Sequence, residues 1–172
     1  MRRHKRKHKL GIFTMSLFLL FLAIGATPPR LTVYTFLNTE CPISQRYVRT
    51  LTDLQQRFAP SNIQFVAMFP LRSDSPKVIK RFQTDYKLSF SGHPDADAQL
   101  ARHFKVRVTP EVVVMQADGH VVYQGAIDDW YVGLGKNRPE PSQRYLRDAL
   151  DALAVGQSVT RTRTDAVGCL VE

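Results

Sequence analysis

The sequence contains only two cysteines, Cys41 and Cys169, among 172 residues. Two cysteines are too few for a disulfide-dense scaffold or for a zinc site built from cysteine alone. Acidic residues are also scarce, because 15 aspartates and glutamates face 24 lysines and arginines, for a net charge of +9. Internal repeats and low-complexity segments are absent. With 44% hydrophobic and 23% charged residues, the chain is neither wholly disordered nor fibrous.

The positive charge is concentrated at the amino terminus. Six lysines and arginines lie within residues 1–9, whereas residues 10–26 carry no charge and are rich in leucine, phenylalanine and isoleucine. A basic start, an apolar core and the small residues Gly25 and Ala26 are typical of a secretory signal peptide. An uncleaved anchor is the alternative, since 17 uncharged residues approach the length that spans a bilayer. Both interpretations predict an exported domain, periplasmic or otherwise extracytoplasmic.

The rest of the chain gives little support for a nucleic-acid partner. Without residues 1–26 the net charge falls to +3, and no stripe of lysine and arginine is interleaved with aromatic residues. Residues 160–164, TRTRT, come nearest and are typical of a solvated terminal strand or arm. We therefore expect no nucleic-acid partner, a domain over residues 27–157, and a tail over residues 158–172 that carries Cys169.

The first half of the domain predicts a βαβ unit. Residues 31–37 are β-branched and aromatic, which predicts a buried strand, and residues 63–69 predict a second one. Between them, Pro42 suits the first position of a helix. Apolar residues recur along that helix at spacings of three and four: Ile43, Tyr47, Leu51, Leu54 and Phe58. A helix between two strands makes the strands parallel with a right-handed crossover.

The middle of the domain predicts two further helices. Ser75-Pro76 is typical of a helix start. The residues expected on the inner face of that helix are Val78, Ile79, Phe82 and Tyr86. We predict a short strand over residues 88–90 and a short helix over residues 96–104.

The end of the domain predicts a hairpin and a last helix. Residues 111–116 and 120–124 flank a turn with glycine, which is typical of a β-hairpin. We predict a loop over residues 127–140 and a helix that begins at Pro141 and ends at Gly156. The inner face of this helix is expected to hold Tyr145, Leu146, Ala149, Leu150 and Leu153.

Two short motifs lie at the junctions of this arrangement. Cys41-Pro42-Ile43-Ser44 follows the first strand, and Val108-Thr109-Pro110-Glu111 precedes the hairpin. With them, the chain from Leu31 to Leu153 resembles the thioredoxin superfamily, and most of all its exported redoxin-type proteins of the peroxiredoxin-like and thiol–disulfide oxidoreductase group. Ile127-Asp128-Asp129 and Gly168-Cys169 are similar to segments of such proteins. The resemblance implies a thioredoxin-like three-layer α/β/α sandwich with a mixed central sheet, βαβ then ββα.

The resemblance also implies an active site. A cysteine at the start of a helix, such as Cys41, lies where unpaired N–H groups and the helix dipole stabilise a thiolate. In the superfamily, the proline matching Pro110 is cis and packs against the active cysteine, and the backbone before it pairs with a substrate chain. We therefore expect Pro42, Thr109 and Pro110 to contact substrate.

The site departs from three better-defined family patterns. Ser44 stands where a C-x-x-C dithiol has its second cysteine, so a local disulfide is excluded. Asn38 stands where peroxidases carry a threonine three residues before the cysteine, so efficient peroxide reduction is not expected. Gln45 stands where a copper chaperone has its second cysteine. We expect a site with one cysteine at the active position and no cofactor.

Three alternatives stay open for the cysteines. Cys41 attacks a disulfide or peroxide and Cys169 resolves the product, with Ser44 either donating a hydrogen bond to the thiolate or capping the helix. Alternatively, the two cysteines form a permanent staple in a non-catalytic binding module, or Cys169 stays free on the tail. The expected partner is a protein with thiols or disulfides, or a small thiol or peroxide. The inner membrane is a partner only if residues 10–26 are retained.

Two acidic segments invite a site interpretation. His93, Asp95 and Asp97 alternate in a way that would suit a metal ion, but capping of the next helix by an aspartate is favoured and we expect no metal. Asp128 and Asp129 would assist proton transfer if they lay near the cysteine. The favoured alternative is that they stabilise their own loop through bonds to the backbone.

Overall fold

A computed structural model describes residues 31–171 of the chain. The predicted signal segment, residues 1–26, lies outside the described residues. Within residues 31–171, no helix is both long enough and apolar enough to cross a membrane.

Nine strands and four helices make up the described chain. The strands are β1 (Leu31–Phe36), β2 (Ile63–Phe69), β3 (Gly92–Pro94), β4 (Val108–Thr109), β5 (Glu111–Gln116), β6 (Val121–Gly125), β7 (Tyr131–Gly133), β8 (Lys136–Asn137) and β9 (Cys169–Leu170). The helices are α1 (Pro42–Phe58), α2 (Pro76–Tyr86), α3 (Gln99–His103) and α4 (Tyr145–Ala154), with short 3₁₀ turns at Ala59–Ser61 and Ala96–Ala98.

Five of the strands form a mixed central sheet in the order β3-β2-β1-β5-β6. β1, β2 and β3 run parallel, and β5 and β6 continue the sheet antiparallel. The predicted parallel pairing across α1 and the predicted hairpin are both confirmed. Two smaller pairs lie outside this sheet, β4 with β9 and β7 with β8.

Two apolar cores lie on opposite faces of the sheet. Successive side chains of a strand point to opposite faces, so Leu31 and Val33 belong to the larger core and Tyr34 and Phe36 to the smaller one. The larger core packs against α1, α2 and α4, and the smaller one packs against α3. The result is the predicted thioredoxin-like three-layer α/β/α sandwich, and the whole predicted inner face of α1 is buried.

Two predicted element boundaries are wrong. Residues 88–90 are not a strand, because Lys87 ends α2 in the left-handed region and the Leu88 N–H bonds back to the Gln83 carbonyl. The edge strand β3 forms four residues later instead. The last helix begins at Tyr145 rather than Pro141. The N–H groups just after Pro141 are bound by a side chain from an earlier loop, as described below, and do not start a helix.

Two further local predictions need correction. The predicted loop over residues 127–140 contains the β7–β8 hairpin. On α2 only Ile79 and Phe82 are buried, whereas Val78 is 39% and Tyr86 41% exposed. The helix therefore contacts the core along a narrower stripe than its sequence spacing predicts.

Truncation of a core leucine on α1 tests this packing. Leu51 is fully buried in the larger core, so Leu51→Ala is expected to lower the free energy of unfolding by about 2–5 kcal/mol. Leu134→Ala is the matched control, because Leu134 is 69% exposed and the expected change is within about 0.5 kcal/mol. Urea unfolding of the oxidised proteins measures both. Equal losses in the two variants would contradict the described core.

Candidate active site at the start of the first helix

Cys41 is the N-cap residue of α1, with extended backbone angles of φ −78° and ψ 115°. Its N–H donates to the Asn38 carbonyl at 3.2 Å, and its carbonyl accepts the Gln45 N–H at 3.0 Å. The residue is 1% exposed, and the neighbouring Pro42 is exposed. The sulfur is therefore attached at the end of a 17-residue helix where the helix dipole favours negative charge.

Ser44 ties the loop before Cys41 to α1. The residue is fully buried, and its hydroxyl oxygen accepts the Asn38 N–H at 3.3 Å. Asn38 in turn accepts the Glu40 N–H on its side-chain oxygen at 2.8 Å. Among the described residues, the Ser44 hydroxyl thus bonds to Asn38 and not to the Cys41 sulfur.

A buried carboxyl group holds the same loop from the other side. Asp74 is 1% exposed, and one of its oxygens accepts both the N–H (3.3 Å) and the hydroxyl (2.5 Å) of Thr39. No residue within 31–171 donates to the second carboxyl oxygen. Burial raises the pKa of Asp74 above its usual value, and the bonds from Thr39 oppose that rise. Sequence reasoning missed this pair, because nothing local connects residues 35 positions apart.

The predicted second motif lies against Cys41. The Thr109–Pro110 peptide bond is cis, Thr109 is fully buried, and the Thr109 carbonyl oxygen lies 3.2 Å from the Cys41 sulfur. The structure therefore brings Cys41 together with Thr109 across 68 positions of sequence.

The tail adds a strand beside this motif. β9 runs antiparallel to β4, with Cys169 opposite Thr109 and Leu170 opposite Val108. The Thr109 hydroxyl donates to the Cys169 carbonyl at 3.4 Å, and the Val171 N–H donates to the Arg107 carbonyl at 2.9 Å.

A disulfide joins Cys41 to Cys169. Their Cα atoms are 6.1 Å apart, within the usual range for a disulfide, although 128 positions separate the two residues in sequence. The alternative in which Cys169 stays free is therefore wrong. Redox use of the pair and a permanent staple are both compatible with this bond.

The tail is also attached upstream of Cys169. The Gln124 N–H donates to the Thr162 carbonyl, and the Thr164 N–H donates to the Gln124 carbonyl, at 2.9 and 3.1 Å. The Thr164 hydroxyl oxygen accepts the Ala126 N–H at 2.9 Å and lies 2.7 Å from the Tyr123 hydroxyl. Residues 160–164, predicted as a solvated terminal strand or arm, run along the outer edge of β6, and residues 160–163 are exposed.

The two acidic residues after β6 stabilise their own surroundings. Asp128 accepts the Tyr47 hydroxyl and, at 2.9 Å, the Trp130 N–H, and burial raises the pKa of Asp128 and of Tyr47. Asp129 accepts the N–H and hydroxyl of Ser142 at 2.7 and 2.6 Å, which holds the pKa of Asp129 below its usual value. These bonds agree with the favoured loop interpretation and explain why no helix starts at Pro141.

The acidic segment before α3 shows the predicted capping. The two carboxyl oxygens of Asp95 accept the Leu100 and Ala101 N–H groups at 2.9 and 2.8 Å, in the first turn of α3. Asp97 pairs with Arg72 at 2.7 Å. Within the described part of the chain, no group of three or more metal-ligating side chains is placed to hold an ion.

Comparison with known proteins finds a matching family and similar structures. The AhpC/TSA family matches residues 28–124. An uncharacterized conserved protein from Geobacillus kaustophilus is similar in structure, with a TM-score of 0.74, 25% identity, and coverage of 84% of this chain and 77% of that protein. No curated protein matches the sequence.

Two further structures resemble the chain in fold. One is a candidate thioredoxin from Neisseria meningitidis, with a TM-score of 0.56, 22% identity, and coverage of 74% of this chain and 75% of that one. The other is the thioredoxin domain of a thiol-disulfide oxidoreductase from Bacteroides vulgatus, with a TM-score of 0.50 and 11% identity. The match covers 56% of this chain and 70% of that one. Both support the thioredoxin-like fold.

The buried Asp74 carboxyl predicts a pH dependence of stability. Because its pKa is higher in the folded than in the unfolded chain, where it is about 3.9, the folded chain binds more protons. The stability of the wild type relative to Asp74→Asn is therefore expected to be highest in acid and to fall as pH rises from about 4 through the raised pKa. Urea unfolding of both oxidised proteins across pH 3.5–8, in roughly half-unit steps, measures the difference.

Thr39→Val serves as the companion variant for this test. It removes the hydroxyl bond that lowers the pKa of Asp74, so the same fall is expected to extend to higher pH. A difference between wild type and Asp74→Asn that grows with pH would contradict the described environment of this carboxyl group.

Proposed function

This chain belongs to the AhpC/TSA family, and we propose that it carries out thiol–disulfide exchange outside the cytoplasm with Cys41 as the nucleophile. The disulfide between Cys41, at the start of α1, and Cys169, on the strand beside Thr109, is the observation that carries the proposal. A helix start is a position that activates thiols, and a second cysteine in bonding contact allows the site to cycle between dithiol and disulfide. The thioredoxin-like fold supports the same class of chemistry.

In the first step, the Cys41 thiolate attacks one sulfur of a partner disulfide. A bond forms between the Cys41 sulfur and that sulfur, the disulfide bond of the partner breaks, and the other partner sulfur leaves as a thiolate. The first N–H groups of α1 stabilise the Cys41 thiolate before the attack, because they lack acceptors within the helix and carry partial positive charge.

In the second step, the Cys169 thiolate attacks the Cys41 sulfur of the mixed disulfide. The Cys41–Cys169 bond forms and the remaining partner sulfur leaves as a thiolate, so the partner disulfide has become two thiols. An external dithiol reductant then opens the Cys41–Cys169 bond and becomes a disulfide itself. The same steps in reverse oxidise a partner dithiol, and relative reduction potentials decide the direction.

The other predicted site residues take supporting roles. Ser44 is a positioning residue, because its bond to the Asn38 N–H holds the loop that carries Cys41. The Thr109 carbonyl lies against the Cys41 sulfur, Pro110 follows it across the cis peptide bond, and Pro42 next to Cys41 is exposed. We assign substrate contact to these three residues.

Disulfide exchange is favoured over peroxide reduction by the contacts of the loop. A peroxidase of this fold would need a hydroxyl three residues before the cysteine, and Asn38 holds that position. The hydroxyl of the next residue, Thr39, is bound to Asp74 at 2.5 Å. Neither residue is therefore available to donate a hydroxyl hydrogen bond to a peroxide on Cys41.

The sequence before the described residues supports an extracytoplasmic location. A basic segment followed by 17 uncharged residues is typical of an export signal, and a disulfide persists in an oxidising compartment. We expect the partner to be an exported protein with cysteines. Contact with the inner membrane would follow if residues 10–26 remain attached.

A second candidate function is a non-catalytic binding module. The burial of Cys41, which is 1% exposed, favours it, because a staple needs no access to its sulfur. By the loop-entropy model a disulfide that closes a loop of 128 residues stabilises a fold by about 5 kcal/mol. In this alternative, the partner binds the groove beside Pro110 without exchange.

Single substitutions of the two cysteines separate these functions. Cys41→Ser and Cys169→Ser each lose the disulfide and its stabilisation, so each controls for the fold of the other. With a disulfide-bonded protein as substrate and a dithiol reductant, we expect turnover by the wild type and none by Cys41→Ser. Pre-reduced Cys169→Ser, mixed with the substrate after the reductant has been removed, is expected to accumulate a mixed disulfide on Cys41, detectable by mass spectrometry under non-reducing conditions.

Equal inactivity of both variants without any mixed disulfide would argue for the binding module. In that case Cys41→Ala would still capture the partner, and the wild-type disulfide would stay closed at potentials above roughly −300 mV, as structural disulfides do.

The activation of Cys41 by the helix start predicts its alkylation behaviour. Iodoacetamide reacts with thiolates, so its rate follows the thiolate fraction. In Cys169→Ser, the ratio of the labelling rate at about pH 6.5 to that at about pH 9.5 is expected to exceed the ratio for free cysteine by roughly tenfold. Because each ratio compares one thiol with itself, limited access to Cys41 cancels. A ratio equal to that of free cysteine would contradict the role of Cys41 as an activated nucleophile.

A further inference from the structure

The tail strand β9 occupies the edge of β4 in the way that a separate peptide would. Its pairing with β4 is antiparallel and covers two residues on each strand, with Cys169 opposite Thr109. The Val171 N–H extends the ladder to the Arg107 carbonyl at 2.9 Å. The covalent bond between this strand and the start of α1 is the disulfide from Cys169 to Cys41, which is also the bond that exchange chemistry breaks.

The residue before Cys169 lies against the backbone of Thr109. Gly168 is buried, and a Cβ atom placed on it would collide with the carbonyl oxygen and carbon of Thr109. Those are backbone atoms and cannot swing aside as a flexible side chain would. The approach of the tail to β4 therefore requires glycine at this position.

The residue after Cys169 is under no such constraint. Leu170 is 72% exposed, so its side chain projects away from the strand pair. Position 168, before the reacting cysteine, thus has no room for a side chain, whereas position 170, after it, accepts one.

The superfamily resemblance implies that the backbone before Pro110 pairs with a substrate chain, and we propose that β4 there selects extended segments in which glycine precedes the reacting cysteine. This inference rests on the proposed function and names its substrate class. When the Cys41–Cys169 bond is reduced, the tail leaves β4 and a partner segment takes its place in the same register. Tail and partner then exclude each other, so return of the tail both releases the partner strand and closes the disulfide.

A set of three peptides tests this selectivity on the full chain. The probes are the peptide of residues 165–171, its Gly168→Ala version and its Leu170→Ala version, each with its cysteine in a mixed disulfide with 2-mercaptoethanol. Reduced Cys169→Ser protein attacks the peptide sulfur through Cys41, forms a Cys41–peptide disulfide and releases 2-mercaptoethanol as its thiolate. Mass spectrometry follows the adduct, and the rate of each peptide with free cysteine gives its intrinsic reactivity.

The parent peptide is expected to react with Cys41 at least roughly tenfold faster than the Gly168→Ala peptide, because overpacking against backbone is not relieved by rotamer changes. The Leu170→Ala peptide is expected to stay within about twofold of the parent, as a substitution at an exposed position. Equal rates for the parent and Gly168→Ala peptides would overturn the inference and leave the proposed function standing. Failure of all three peptides, with normal reaction of Cys41 toward a small aromatic disulfide, would overturn it in the same way.

If Cys41 also fails to react with the small aromatic disulfide, the result would contradict the proposed function itself.

A second measurement uses the intact tail in place of the peptides. Gly168→Ala in the full chain is expected to lower the equilibrium constant for closing the Cys41–Cys169 bond against a dithiol buffer by roughly tenfold. Leu170→Ala is the matched control and is expected to leave that constant unchanged. An unchanged constant in Gly168→Ala would count against selection at this position.

Discussion

The bond between the Cys41 and Cys169 sulfurs connects the start of α1 to β9, which otherwise contacts the domain through a few hydrogen bonds and the partly buried side chains of Val167 and Val171. β9 pairs over two residues with an equally short β4, and a strand pair of this length is not stable on its own. The tail lies against Thr109 at both Gly168 and Cys169. In the proposed exchange, the oxidation state of this bond decides whether the edge of β4 is covered by the tail or open to a partner.

The loop that presents Cys41 is held independently of that bond. Ser44 holds it through the Asn38 N–H, and Asp74 holds it through Thr39, so its position is set by α1 and by the segment before α2. The backbone that carries the Cys41 sulfur is therefore held by contacts that do not involve the disulfide. In the proposed exchange, a loop held in this way suits a thiol that must meet a large partner, because little ordering remains to be done when the partner binds.

Local patterns predicted most of the fold, and long-range contacts account for what they missed. The spacing of apolar residues on α1 predicted its buried face, since amphipathic periodicity depends on neighbours within the helix. The position of Cys41 beside Thr109 followed from the resemblance to a known superfamily. By contrast, the Asp74–Thr39 pair has no local signal, and the start of α4 is displaced because Asp129 binds the preceding N–H groups. The path of the tail likewise depends on contacts with β6 and β4 that periodicity does not encode.

The attachment of Thr164 to β6 gives the tail a short tether. Only residues 165–168 separate this anchor from Cys169, so a reduced Cys169 stays within about 18 Å of its anchor. A tether of this length holds a group at an effective concentration in the millimolar range or above. A partner present at micromolar concentration therefore competes with a resident strand that never diffuses away. In the proposed exchange, the success of that partner depends on how long the tail stays off β4 as well as on affinity. The return of Cys169 then limits how long each partner remains attached.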